Sequence, residues 1–156
     1  MIELARIAAV IAVLGTAIVY GTDAFSAMVL RPALARVDDR CLVAVTGYVH
    51  LYGDRRMPVP GVLGFVGAAG SAGLAAVAGQ WFAAGEAGAA AGVLLVWLVL
   101  YLRVSAPINR QLTAAAKTDD PPPNARALQG NWDRIITVRA VLQGLAIASL
   151  CLALMI

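Results

Sequence analysis

Residues 7–30 read IAAVIAVLGTAIVYGTDAFSAMVL, held between Arg6 and Arg31. Only Thr16, Tyr20, Thr22, Asp23 and Ser26 interrupt the apolar run. As a helix it would extend ~36 Å, more than the ~30 Å hydrocarbon core of a bilayer. A cleaved leader is the competing reading. The small residues around 24–27 make a poor cleavage site and the apolar run continues past them, which favours a span.

The rest of the chain supports a membrane protein. Of 156 residues, 61% are hydrophobic and 13% charged, and mean hydropathy is +0.81. A water-soluble domain of this size cannot hide so much apolar surface. The composition excludes a disordered chain and a disulfide-rich secreted module. Net charge is +3, but the basic residues sit beside apolar segments, so orientation in a membrane explains them better than nucleic acid does. Two cysteines and one histidine cannot assemble a zinc site.

Further spans are expected at 62–84, 87–102 and 137–156, giving four. Gly85-Glu86 would form the tight turn between the second and third. Glycines at 61, 64, 67, 70 and 73, with Gly88 and Gly92, suggest that these two spans pack closely through small residues. Arg31-Pro32 would end the first helix. Residues 33–52 then place Leu34, Val37, Cys41, Val45, Tyr48 and Tyr52 on one face and Arg36, Asp39, Arg40, Thr46 and His50 on the other. That pattern predicts an amphipathic helix lying at the membrane interface, stopped by Gly53. A short helix from Pro107 to Lys117 should precede the breaker Pro121-Pro122-Pro123. The expected architecture is all-α: one membrane domain over 1–156, a four-helix bundle with an interfacial helix between spans one and two.

Five arginines fall in 31–61 and six basic residues in 103–139, so eleven of twelve basic residues agree on one side. The positive-inside rule puts both large loops, including the segment 103–136, in the cytoplasm, and both termini outside a cell membrane.

Polar residues inside spans carry the functional expectations. Asp23 lies ~12 Å along the helix from Arg31 and must face the bundle and be paired. Tyr20, three residues earlier, should share its face. Arg139 and Gln143, one turn apart on the last span, are its expected partners. Trp132 is an interfacial anchor or an aromatic substrate platform. His50 is a general base, an axial haem ligand or a structural side chain. Asp54, Arg56, Tyr52, Arg31 and Asn109 lie toward the same membrane face, so one cytoplasm-facing pocket is the default site. No phosphate loop, nucleophile elbow or CxxC is present.

Tyr20-Gly-Thr-Asp23 with Arg31-Pro32, Ser105-Ala-Pro-Ile-Asn109, and Trp132-Asp-Arg134 with Arg139 resemble the four-span membrane family of formerly unknown function that includes the fungal anthrone oxygenases. The segment His50-Leu-Tyr-Gly-Asp-Arg-Arg-Met-Pro58 looks like its actinobacterial branch. The chain has Ser105 and Ile136 where many members carry Asn, or Asn or His. The resemblance implies oxidation of a lipophilic phenolic substrate by molecular oxygen, with no bound metal, flavin or other cofactor. His50, Asp23 and Arg139 would then be catalytic. Tyr20, Arg31, Tyr52, Asp54, Arg56, Asn109, Trp132 and Gln143 would bind substrate. The expected partners are the bilayer, a lipophilic small molecule and, as an open alternative, a second copy of the chain. The competing functions are a non-catalytic bundle binding a lipid or a protein, and a small transporter subunit.

Overall fold

The computed structural model describes residues 1–155. Helices α1 (Ile2–Phe25) and α2 (Arg31–Leu34) are joined by a π-helical turn, Ser26–Leu30. Then come α3 (Asp39–Arg56), α4 (Pro58–Val77) and α5 (Trp81–Leu100). A second π turn, Tyr101–Ser105, leads into α6 (Ala106–Thr118), and α7 (Ala125–Met155) closes the chain. Four helical stretches are long and apolar enough to cross a membrane: Ile2–Leu34, Pro58–Val77, Trp81–Thr118 and Ala125–Met155.

These four close into a ring. α1 packs on α4 and α7, and α5 packs on the same two helices from the opposite side. The outer surface is lined by exposed Ile7, Val10, Ile11, Leu14, Ile18, Val141 and Leu145. In water such a surface would drive aggregation; in lipid it is the matching face. α3 and α6 pack together across one end of the ring, joined by the first half of α7. We call this the capped end. The other, terminal end carries the start of α1, the end of α7 and the α4–α5 turn.

The two ends have different cores. Toward the terminal end it is nearly all alanine: Ala5, Ala9, Ala12, Ala68, Ala75, Ala87, Ala90, Ala146 and Ala153. At the capped end it is built from Leu34, Leu42, Val43, Ile108, Leu112, Trp132 and Ile136.

Several boundaries differ from the sequence reading. Arg31-Pro32 does not end the first helix. Proline cannot donate to the carbonyl four residues back, and its ring crowds that carbonyl. The wider π turn just before Pro32 relieves the crowding, and the same device precedes Pro107. Each helix thus passes its proline and continues. The α4–α5 turn lies at Ala78-Gly79-Gln80, not at Gly85-Glu86, which are helical. Gly79 has φ +74°, while Gln80 N–H donates to Ala75 O at 2.9 Å and Gly79 N–H to Ala76 O at 3.0 Å. This is a Schellman closure, and it requires the left-handed conformation that glycine adopts freely.

Close glycine packing joins spans one and two rather than two and three. A Cβ on Gly67 would stand 2.9 Å from Ala8 O and 3.0 Å from Ala12 N, whereas Gly70, Gly73 and Gly92 face open space. Alternate glycine faces point opposite ways on one helix, and only contact with α1 selects the buried one.

Helix α3 starts later than the sequence suggests, at Asp39. It is capped by Asp38, whose carboxylate accepts from Cys41 N–H at 2.7 Å. It runs past Gly53 to Arg56. Its buried side is Leu42, Val43, Thr46, Gly47 and His50. The expected polar residues Thr46 and His50 face inward, and Val45, Tyr48 and Tyr52 face out. Gly47 sets this rotation: it admits the α6 backbone so closely that a Cβ would collide with Leu112 O at 2.5 Å.

Candidate functional site

Where the ring meets its cap, the helices part around a cavity of about 670 Å³. α1 contributes Thr16 and Asp23, α3 His50 and Asp54, α5 and its π turn Trp97 and Tyr101, α6 Asn109, and α7 Trp132, Arg139 and Gln143. The walls are largely apolar. Val62, Val66 and Leu102 line the cavity while being more than half exposed on the outer surface, so it opens sideways through an apolar rim. Tyr52 and Arg56 stand at another part of the rim, with the guanidinium 5.3 Å from the tyrosine ring centroid.

Asp23 and Arg139, expected to meet, do so. Arg139 Nη2 lies 2.9 and 3.0 Å from the two Asp23 oxygens, and both side chains are buried. Gln143 Nε2 donates to Asp23 Oδ2 at 2.6 Å, and Trp97 Nε1 approaches it at 3.5 Å. Arg139 Nη1 donates to Ser105 Oγ at 2.9 Å. The guanidinium also lies over two rings, 5.6 Å from Trp97 and 5.4 Å from Tyr101. Asp23 is thereby paired in charge, and it holds Arg139 in place.

Asp54 anchors a second network. Its Oδ1 accepts from Tyr101 O–H at 2.8 Å and Asn109 Nδ2–H at 2.9 Å. Asn109 Oδ1 in turn accepts from Trp132 Nε1–H at 3.0 Å. Trp132 is therefore a buried member of the site, not a lone interfacial anchor. Its ring lies 5.2 Å from that of His50. Tyr101 connects the two networks, because its ring stacks 6.1 Å from Trp97 while its hydroxyl reaches Asp54.

His50 stands out. It is buried, makes no hydrogen bond among the described residues, and its Nδ1 is enclosed without a partner. Burial pulls its pKa down to about 4; Asp54 pulls upward and the Arg139 charge adds to the lowering. At neutral pH it is an uncharged imidazole. Thr16 Oγ1, Arg139 Nε and Gln143 Oε1 are likewise buried without partners. Four unsatisfied polar atoms thus belong to residues that line one cavity. Among the described residues, no group of three or more His, Cys, Asp or Glu is placed to hold a metal ion.

Of the residues expected at the site, His50, Asp23, Arg139, Tyr52, Asp54, Arg56, Asn109, Trp132 and Gln143 all line the cavity. Tyr20 and Arg31 do not. With Asp23 pointing to the bundle axis, Tyr20 turns toward the outer α1–α7 groove, 3.5 Å from where a Gly144 Cβ would stand. Arg31 lies beyond the π turn, facing Asp133. The sequence reading passed over Trp97 and Tyr101. Their four-residue spacing, continued at Ser105, marks one helix face, but aromatic residues near a span end read as interfacial anchors. Comparison of the chain with family models, curated proteins and solved structures gives no match.

Proposed function

We propose that this protein takes up a lipophilic aromatic or phenolic molecule from the bilayer and oxidises it with molecular oxygen, without a bound cofactor, as the resemblance to the anthrone oxygenases implies. One observation carries the reading: a cavity entered through an apolar rim is lined by Thr16, His50, Arg139 and Gln143, each of which has a buried polar atom without a partner. Apolar walls with a few convergent polar atoms suit a small lipophile with one polar edge. Trp132 and Trp97 offer faces for its rings.

In the chemical step His50 accepts the proton of an activated methylene group, and the positive charge of Arg139 beside the cavity stabilises the oxyanion. The carbanion gives one electron to oxygen, the two radicals combine, and the proton returns to form a hydroperoxide. Loss of water breaks the O–O bond and leaves a carbonyl. One oxygen molecule and one methylene thus give one ketone and one water. Asp23 holds Arg139 in place.

The same reading places α3 at the membrane interface. Its outward Val45, Tyr48, Val49 and Tyr52 are the side chains such a layer accommodates. The eleven basic residues put the capped end in the cytoplasm and both termini outside. A cysteine introduced at Gln80, with Cys41 and Cys151 replaced by serine, should be labelled only from outside.

The test of the activity is oxygen uptake by the protein in nanodiscs given an anthrone. Uptake matched one to one by ketone, and reduced ~10²-fold or more in His50→Gln, is the expected result. A second reading, a non-catalytic lipophile-binding bundle, is favoured by the pairing of Asp23 with Arg139 and Gln143. Tight anthrone binding with no protein-dependent oxygen uptake would select it.

A further inference from the structure

A second cavity of about 470 Å³ lies at the capped end, between the first π turn with α2, the start of α3 and the start of α7. None of its lining residues belongs to the first cavity. It holds four polar side chains: Arg31, Arg126, Gln129 and Asp133.

Three of them are not fully satisfied. Arg126 is fully engaged, with Nε donating to Asp39 Oδ1 at 2.6 Å, Nη1 to Leu34 O at 3.0 Å and Nη2 to Val37 O. It builds the wall. Arg31 makes no hydrogen bond among the described residues; its Nε stands 3.9 Å from Asp133 Oδ2, too far for one. Asp133 Oδ1 takes the Gln129 amide at 2.9 Å, leaving Oδ2 with only that distant arginine. Gln129 is 5% exposed, and its Oε1 has no donor. One half-exposed cation without an acceptor therefore sits beside two acceptors without donors.

The occupant must carry both signs. A phosphate would meet Arg31, and a group with N–H donors and positive charge would meet Asp133 Oδ2 and Gln129 Oε1. The site's depth supplies the rest. Arg31 follows directly on the apolar run 7–30, at the level where lipid phosphates lie. Met28 and Val29 beside it are 77% and 52% exposed on the outer surface, where acyl chains would run. We propose that the second cavity binds the phosphoethanolamine headgroup of a membrane phospholipid, phosphate on Arg31 and ammonium on Asp133 and Gln129. A choline headgroup has no N–H to donate. A glycerol headgroup has no charge for Asp133. This site is independent of the proposed oxidation.

The test is native mass spectrometry of the full chain in detergent with equal amounts of ethanolamine, choline and glycerol phospholipids of identical chains. The ethanolamine lipid should be retained about tenfold over the other two. Arg31→Gln should lower retention of all three lipids alike, and Asp133→Asn should abolish the preference, while Arg103→Gln should change neither. Equal retention of all three, preference for the glycerol lipid, or an unchanged preference in Asp133→Asn would overturn the proposal. Stepwise N-methylation of the lipid probes the unmodified protein, so the answer does not depend on the variants folding. Retention should drop with each methyl, and indifference to methylation also overturns it. Soluble phosphoethanolamine should compete only in large excess; competition at the lipid's own concentration would mean a free-metabolite site instead.

Discussion

The terminal half of the bundle and its capped half solve the same problem in opposite ways. Helices in lipid gain little from burying apolar side chains against one another, since lipid is as apolar as leucine. Near the terminal end the chain responds with Ala and Gly, so that backbones touch: Gly67 on α4 lies against Ala8 and Ala12 of α1. Toward the cap it uses hydrogen bonds and an ion pair, with Arg139, Gln143 and Trp97 around Asp23. The first solution leaves no space between helices. The second needs long side chains, which hold the helices apart, and the cavity is the volume so created. The half joined by polar contacts is therefore also the half that holds the cavity.

The sharpest way to break this contrast is to unpair the polar half. Asp23→Asn, which leaves Arg139 buried and uncompensated, should cost ~3–5 kcal/mol. Adding Arg139→Gln should recover part of the loss. Thermal unfolding in detergent measures both, and strictly additive losses would show that the pair is not the joint.

Acid probes the same half without mutation. His50 stays neutral in the fold down to about pH 4, while an exposed histidine takes up a proton near 6.5. The folded pKa is the lower of the two, so stability is full above 6.5, falls as pH drops from 6.5 to about 4, and levels off below that. The loss over that window should be on the order of 3 kcal/mol. His50→Gln should flatten that part of the stability–pH curve, and a curve unchanged by the substitution would refute the assignment.

Overpacking probes the alanine half. Gly67→Ala drives a methyl into the α1 backbone and should cost ~1–3 kcal/mol. Gly70→Ala, one turn away and facing open space, should leave the unfolding midpoint unchanged or slightly higher. Equal effects at the two positions would mean that α1 and α4 do not approach as described.

The smallest effect lies on the outer surface of the cap. Arg40 and Asp119 pair across α3 and the end of α6, but their side chains are 70% and 65% exposed. Arg40→Ala should change stability by less than ~1 kcal/mol, and that difference should vanish in high salt.

Hydropathy and length were enough to find four helices long and apolar enough to cross a membrane, because a polar backbone in lipid leaves a chain this apolar little choice but helix. The meeting of Asp23 with Arg139 and Gln143 was legible for a similar reason: a buried charge must find its opposite, and few candidates existed. Local signals misled where two outcomes share one composition. Gly79-Gln80 and Gly85-Glu86 look alike as text, and only the contacts of α4 and α5 decided which glycine closes a helix. Pro32 read as a stop and Pro107 as the start of a separate short helix, yet tertiary packing favours continuing each helix through a widened turn. The amphipathic pattern of α3 suggested that His50 faces water. The close seat of Gly47 on α6 turned the helix and carried that imidazole into the cavity. Which face of a helix is buried depends on what lies beside it, and in a membrane both the bilayer and the bundle interior accept apolar side chains. Hydrophobicity therefore located the helices, and steric fit between particular residues chose their rotation and, with it, the site.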